Sequence, residues 1–414
     1  MTFMANFLLN QSYYPKDYRK KDVEKIIGFL LSFQPVSIIG LPRVGLARIL
    51  RFILTHPEFL CQKIESDKVL LIEIDLNDLF SRDEKGFWQL VLKRLSDKAE
   101  INKTQPLIKK LYVSAARAND SFTFFDNTKQ SLKKICHEDY LVFLFFNRFD
   151  RSLPLFSYRF FAHLQSLKDV AKTRINFLFT SNRPLEYLSP DVFKGGNLEV
   201  FSQKYFLKPA SKEDLAGSVI KEFEKSRKVR LSRAIKNLVY QYSGGHAQYA
   251  LLVLQALEKQ GFSLKKANQI LNNNPNLLAQ SQELWDFLDR KEKQLLLSKK
   301  RNFKDCFLVK IGLISEKGQV FSPVFEDFLR TQKEISVQEL TRKEKALLTI
   351  LQGQKGELVT REEIINFVWP ENPEEVNEWT LDQLVKRLRK KLGDLKLPFQ
   401  VKTIKAQGYS LIPS

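Results

Sequence analysis

Residues 40–48 read GLPRVGLAR. This is the frame of a phosphate-binding loop, G-x-x-x-x-G-K-[ST], in which backbone N–H groups and a helix N-terminus surround an anion. Such a loop needs two further side chains: a lysine that reaches the terminal phosphates and a hydroxyl that holds magnesium. Leu46 and Ala47 stand in those two places. Gly40 and Gly45 keep the backbone part, and Arg43 adds one mobile positive charge. The stretch 143–150, FLFFNRFD, shows the same loss. Asn147 sits where an acid would position metal and water, Arg148 follows, and Asp150 is the remaining acid. An amide cannot supply the charge that magnesium requires. Elsewhere no Ser/His/Asp, Cys/His or paired-acid constellation stands out, so no residue is assigned a catalytic role. Cys61, Cys136 and Cys306 are far apart and the four histidines have no metal-ligand spacing, which predicts no metal site and fits a reducing, cytoplasmic setting.

The other chemistry-bearing stretch is TLDQLVKRLRKKLG, 380–393. Leu381, Leu384, Val385, Leu388 and Leu392 recur every three or four residues and predict one buried stripe. Gln383, Lys386, Arg387 and Lys390 fall on another face. From Thr380 onward there are eight Lys/Arg against Asp382 and Asp394, while the acids of this region sit earlier, in PENPEEVNE. Arg and Gln are residue types that read base edges, and Lys mostly meets phosphate. The closing FQVKTIKAQGYSLI predicts a hairpin that presents Lys402 and Lys405, with Gly408 expected to allow a tight return.

The elements that must carry these residues are legible from periodicity. QPVSIIG, VLLIEIDL (69–76), YLVFLFFNRFD (140–150), RINFLFTSN (174–182) and NLEVFS (197–202) read as strands. Apolar strands alternating with helices predict a parallel sheet covered on both faces, with the 40–48 loop at its ligand-bearing carboxyl edge. From Ser211, a good N-cap, the chain reads as helices without strands, a helical lid. NNNPN (272–276) is a turn-rich break. Helices and a short hairpin follow, as in a winged helix, and the logic repeats to the end. The expected organisation is multidomain α/β plus α+β. An N-terminal segment (1–20) precedes a sheet domain (21–207) and a lid (208–274). A first winged-helix-like unit (275–335) and a last unit (338–414) complete the chain.

The front region resembles the AAA+/STAND P-loop ATPases, particularly their regulator and replication-initiator branch. The matching residues are Gly40, Pro42, Arg43, Val44 and Gly45, the strand ending in NRFD, Thr180-Ser181-Asn182, and Ser243-Gly244-Gly245-His246. That resemblance implies a degenerate nucleotide site of Gly40, Arg43, Gly45, Leu46, Ala47, Asn147, Asp150, Asn182 and His246. Asn182 stands at the place that senses a terminal phosphate, and ATP or ADP would be held, if at all, without hydrolysis.

The last 77 residues resemble the OmpR/PhoB-type winged-helix domain of bacterial response regulators. The match runs through Leu340-Thr341, Glu344, Leu347-Leu348, Thr360 to Ile364, Trp369, Arg387 to Leu392, and Thr403-Ile404-Lys405 with Gly408-Tyr409. It implies that Asp382, Gln383, Lys386 and Arg387 face bases and that Thr380 and Arg389 meet phosphates, with Lys390, Lys402 and Lys405 adding charge. Lys405 replaces the family's wing arginine. The expected partner is double-stranded DNA, with RNA polymerase and a second copy of the chain as further partners.

Composition agrees. A net charge of +20 favours a polyanionic partner. The region 338–414 holds 13 basic and 11 acidic residues, so the remainder carries 54 and 36, a net +18. The stretches KSRKVRLSR (225–233) and LSKKRNFK (297–304) are therefore candidates for further backbone contact. The longest apolar stretch is broken by Gln34 and Pro35, which predicts no membrane span.

Overall fold

The computed structural model describes residues 15–64, 66–98, 103–193, 203–264, 267–297, 303, 306–337, 340–354, 356–370, 372–394, 399–405 and 407–413. The chain divides into two compact units. The first comprises residues 1–264 with 301–321, and the second 265–300 with 322–414, so the stretch 275–335 contributes to both.

The first unit is built on a five-stranded sheet: β1 (Val36–Gly40), β2 (Val69–Asp75), β3 (Leu141–Asn147), β4 (Ile175–Ser181) and β5 (Gln203–Leu207), in the order β2-β3-β4-β1-β5. Every pairing is parallel. β1 and β4 are buried along their whole length and β3 nearly so, which is why their sequences are apolar runs and not alternations. The expected strand at 197–202 lies outside the described residues, and β5 begins at Gln203. Phenylalanine dominates the interior. Phe87, Phe146, Phe149, Phe160, Phe177 and Phe179 form a chain of stacked and edge-on rings, geometries that add to plain area burial.

After the sheet the chain is helical. Ser211 caps the Lys212–Leu215 helix through Asp214 N–H at 3.1 Å, as its sequence context predicts. The Arg233–Ser243 helix ends on Gly244 and Gly245, both with positive φ. A Cβ on Gly245 would sit 2.0 Å from the Ala210 carbonyl oxygen, so only glycine lets these segments approach.

In the second unit the last 75 residues form a helical group on a three-stranded antiparallel sheet, ordered β6 (Val359–Thr360), β8 (Gly408–Pro413), β7 (Phe399–Ile404). Three helices, Arg342–Gly353, Arg361–Val368 and Glu378–Asp394, bury Leu347, Leu351, Ile364, Leu384 and Leu388 against Phe399, Val401, Tyr409 and Leu411 of the hairpin. The first two begin with reciprocal caps, Thr341 with Glu344 and Thr360 with Glu363, each satisfying orphan N–H groups. Gly408 serves a different purpose from a tight return. A Cβ there would lie 2.1 Å from the Val359 carbonyl oxygen, so the glycine admits β6 alongside β8.

Glu344 is 1% exposed and accepts from Lys391 Nζ at 2.7 Å, tying the first helix of this group to the third. Burial alone would push its carboxyl up; the Lys391 ammonium and the Thr341 N–H outweigh that and hold it below the usual carboxylate range. A depressed carboxyl stabilises the fold above its unfolded pKa, and that contribution is lost as pH falls through the folded value. Glu344→Gln should therefore cost about 1.5–3 kcal/mol at neutral pH and flatten the acid limb of stability. Hydrogen exchange of amides within 342–411, measured from pH 7 to 4, checks both.

Candidate nucleic-acid interface and nucleotide frame

In the front frame, Gly40 ends β1 and Gly45, at φ +121°, opens the Leu46–Thr55 helix. Between them Leu41 and Val44 turn inward and are buried, while Arg43 is exposed at φ +61°. A Cβ on Gly40 would meet the Leu207 carbonyl and Val44 at 3.0 Å and Leu46 at 3.4 Å. Leu46 thus packs back over the loop, and Leu46 and Ala47 present no charge or hydroxyl to an anion. His246 is fully buried. Its Nδ1 accepts from the Tyr249 N–H, so Nε2 carries the proton and donates to the Pro42 carbonyl at 2.9 Å. Burial pushes its pKa down to about 4. Neutral His246 therefore latches the lid helix Ala247–Glu258 onto the loop.

The carboxyl ends of β2, β3 and β4 are closed on themselves. Asn147 is 2% exposed. Its amide donates to Glu73 at 3.2 Å and to Asp75 at 3.4 Å, and its oxygen accepts from Thr180 at 2.9 Å. The Arg148 guanidinium pairs with Asp75. Asn182 donates from its side chain to the Gly40 carbonyl at 2.9 Å and from its backbone to Asp150 at 3.3 Å. Burial pushes the Asp150 carboxyl up, opposed by that Asn182 N–H. Among the described residues no group of three or more His, Cys, Asp or Glu is placed to hold a metal ion. Magnesium does not fit: the β3 acid is an amide, and the Asp75 carboxylate already has a guanidinium. Of the expected residues, Asn182 bonds directly to Gly40 and Asp150, while Asn147 is tied to Glu73, Asp75 and Thr180 and His246 to Pro42 of the loop.

The C-terminal helix divides its residues into two classes. Leu381, Leu384, Val385, Leu388 and Leu392 are all buried, as the spacing predicts. Lys386, Arg387 and Lys390 are exposed and Gln383 is half-exposed. Among the described residues these four make no ion pair or side-chain hydrogen bond. The others are engaged. Thr380 donates its hydroxyl to Asn377 at 2.8 Å, at the start of the helix. Arg389 donates to the Val401 carbonyl at 2.8 Å and to Thr403 at 2.6 Å, clamping helix to hairpin. Asp382 accepts from the Tyr409 hydroxyl and pairs with Arg361 at 3.1 Å. Burial and the Asp382 hydrogen bond push the Tyr409 phenol up to about 12, and the guanidinium groups of Arg361 and Arg389 lie 5.3 and 5.9 Å from its ring. Lys402 and Lys405 are exposed on the hairpin. Trp379, which sequence reasoning passed over, is 69% exposed at the head of the same helix. Its signal was there: it lies four residues before Gln383 and seven before Lys386.

Residues 336–411 match the family model described as "Transcriptional regulatory protein, C terminal". They match a domain of the OmpR/PhoB type. The chain is similar to the cholera toxin transcriptional activator of Vibrio cholerae serotype O1, 31% identical over 115 residues, covering 27% of this chain and 39% of that protein. It is also similar to the heme response regulator HssR of Staphylococcus haemolyticus, 38% identical over 73 residues, covering 18% and 32%. The chain thus spans about a third of the length of these relatives. Among solved structures, the Aeropyrum pernix ORC1 protein in complex with DNA aligns over 96% of this chain and 89% of its own, at 10% identity and a TM-score of 0.42. Among the described residues no helix is long and apolar enough to cross a membrane.

The His246 latch carries a pH signature. A buried neutral histidine binds its proton less readily than the unfolded chain does, so stability is full above about pH 6.5 and falls as pH drops towards 4. The shift from 6.5 to about 4 corresponds to a loss on the order of 3 kcal/mol. Urea unfolding at pH 7 and 4.5 should show this loss in the parent chain and a smaller one in His246→Gln.

Proposed function

We propose that this protein is a DNA-binding transcriptional regulator whose C-terminal winged helix reads duplex DNA and whose front unit is a non-hydrolysing scaffold or sensor. The observation that carries the reading is the polarity of the Glu378–Asp394 helix. One side is buried, and the other holds out Gln383, Lys386, Arg387 and Lys390, which have no ion pair or side-chain hydrogen bond among the described residues. A cationic helix face of this kind enters the major groove, with Arg and Gln on base edges and Lys on phosphates. The family of residues 336–411 supports it, as do the names of the relatives, one an activator and one a regulator.

Roles then follow from how each side chain is held. Gln383, Lys386 and Arg387 face bases. Lys390 meets phosphate, as do the remaining donors of Arg389 and the Thr380 end of the helix. Lys402 and Lys405 lie along the backbone as a wing. Asp382, held by Tyr409 and Arg361, sets the angle between helix and hairpin and does not itself read. RNA polymerase and a second copy of the chain are the protein partners this reading calls for. The cytoplasm is the compartment it requires. The rival, a nucleotide switch that holds ATP on Gly40, Arg43 and Gly45, would work with Leu46 and Ala47 in the places of the loop lysine and hydroxyl and Asn147 in the place of the acid.

Selection from a random duplex library with the full chain tests the reading. Arg387→Ala should relax preference at one base position, costing about 1–3 kcal/mol there. Lys405→Ala should weaken all sites alike and lower the log–log salt slope by about 0.9. Added magnesium and ATP should leave the selected site unchanged, and phosphate release should stay at background. An unaltered site in Arg387→Ala, or magnesium-dependent turnover, would count against it.

A further inference from the structure

On a helix each residue advances by about 100°, so Trp379, Gln383, Lys386 and Lys390 fall within an arc of about 60°. That arc lies opposite the buried stripe of Leu381, Leu384, Leu388 and Leu392. Trp379 is therefore in line with the cationic face, at its N-terminal end. Its ring makes no stacking, cation–π or hydrogen-bonding contact among the described residues. The helix does not need it for packing, since its core side is complete without it. A large flat apolar group left in water at the head of this face is an unpartnered surface. Glu378 and Asp382 flank it in sequence, and it is Lys386, Arg387 and Lys390, further along the helix, that favour a polyanion as the occupant of the face.

An indole has a donor and no acceptor, so it cannot make the paired contacts by which Arg or Gln read a base. Its broad apolar face suits the one apolar group that the major groove displays, the 5-methyl of thymine. Its position also agrees: residues near the N-terminus of a recognition helix are those that meet base edges. We propose that Trp379 is a specificity-determining residue that packs on a thymine methyl next to the bases read by Gln383 and Arg387. This rests on the reading of the helix as a DNA reader.

The test uses the full chain and its own selected duplex, with each thymine replaced in turn by deoxyuridine, which removes only the methyl. Parent protein should lose about fourfold in affinity at one position, the worth of one buried methyl group, and little elsewhere. Trp379→Ala should bind the natural site about tenfold more weakly, as expected for losing an apolar ring contact, and be indifferent to deoxyuridine at that position. Trp379→Phe, which keeps a flat ring, should retain the methyl dependence. The proposal falls if Trp379→Ala keeps both the parent affinity and the parent methyl dependence, the result expected were this ring a docking point for a protein. If the parent chain selects no duplex at all, the DNA reading fails and takes this inference with it. A parent that selects a site, but with no methyl-sensitive thymine, overturns this inference alone.

Discussion

The rotation of one helix about its own axis decides what this protein can present to a partner. Five apolar side chains from Leu381 to Leu392 enter a core that also holds Leu347, Ile364, Phe399 and Tyr409. A turn of the helix by even one residue position, about 100°, would expose leucines and bury lysines. Hydrophobic burial thus fixes the direction of Arg387 and Lys386 as firmly as it fixes the fold. Lys391 reinforces this. It is the basic residue of the run that turns inward, onto the buried carboxylate of Glu344. A cationic run of five is in this way sorted into exposed side chains, one inward tether, and one clamp to the hairpin, Arg389.

The clamp matters for the hairpin as well. A two-stranded ribbon is marginal alone, and here β7 is held by Arg389 while β8 is anchored by Tyr409 on Asp382. The Arg361 guanidinium closes the group by facing both Asp382 and the Tyr409 ring. Helix and wing are therefore one rigid body, which is what a groove reader with a flanking wing needs. Asp382, expected from its sequence position to face bases, also ties the helix to the hairpin through Tyr409 and to Arg361.

Much of this was legible in the sequence because it rested on period. The apolar runs of β1 to β4 and the three-four spacing of the last helix each have one stable solution, burial. What sequence could not supply was the partner of each polar group. Asp382 and Arg389 have the right types for DNA contact, yet tertiary approach by Tyr409, Val401 and Thr403 engages them. Gly408 reads as a turn residue, and only the pairing of β6 reveals why a side chain is excluded there. Trp379 was missed because a lone tryptophan is ordinarily core. Its exposure follows only once the stripe opposite it is known.

The front unit reverses the logic. There the polar residues at the strand ends satisfy one another: Asn147 with Glu73 and Thr180, Asn182 with Gly40, Arg148 with Asp75, His246 with Pro42. A site poised for phosphate and metal must leave such groups partly unsatisfied until the ligand arrives, at a cost in stability. Here the Arg148 guanidinium pairs with Asp75 and Leu46 packs back over the loop, so the carboxyl edge of the sheet is held by internal bonds.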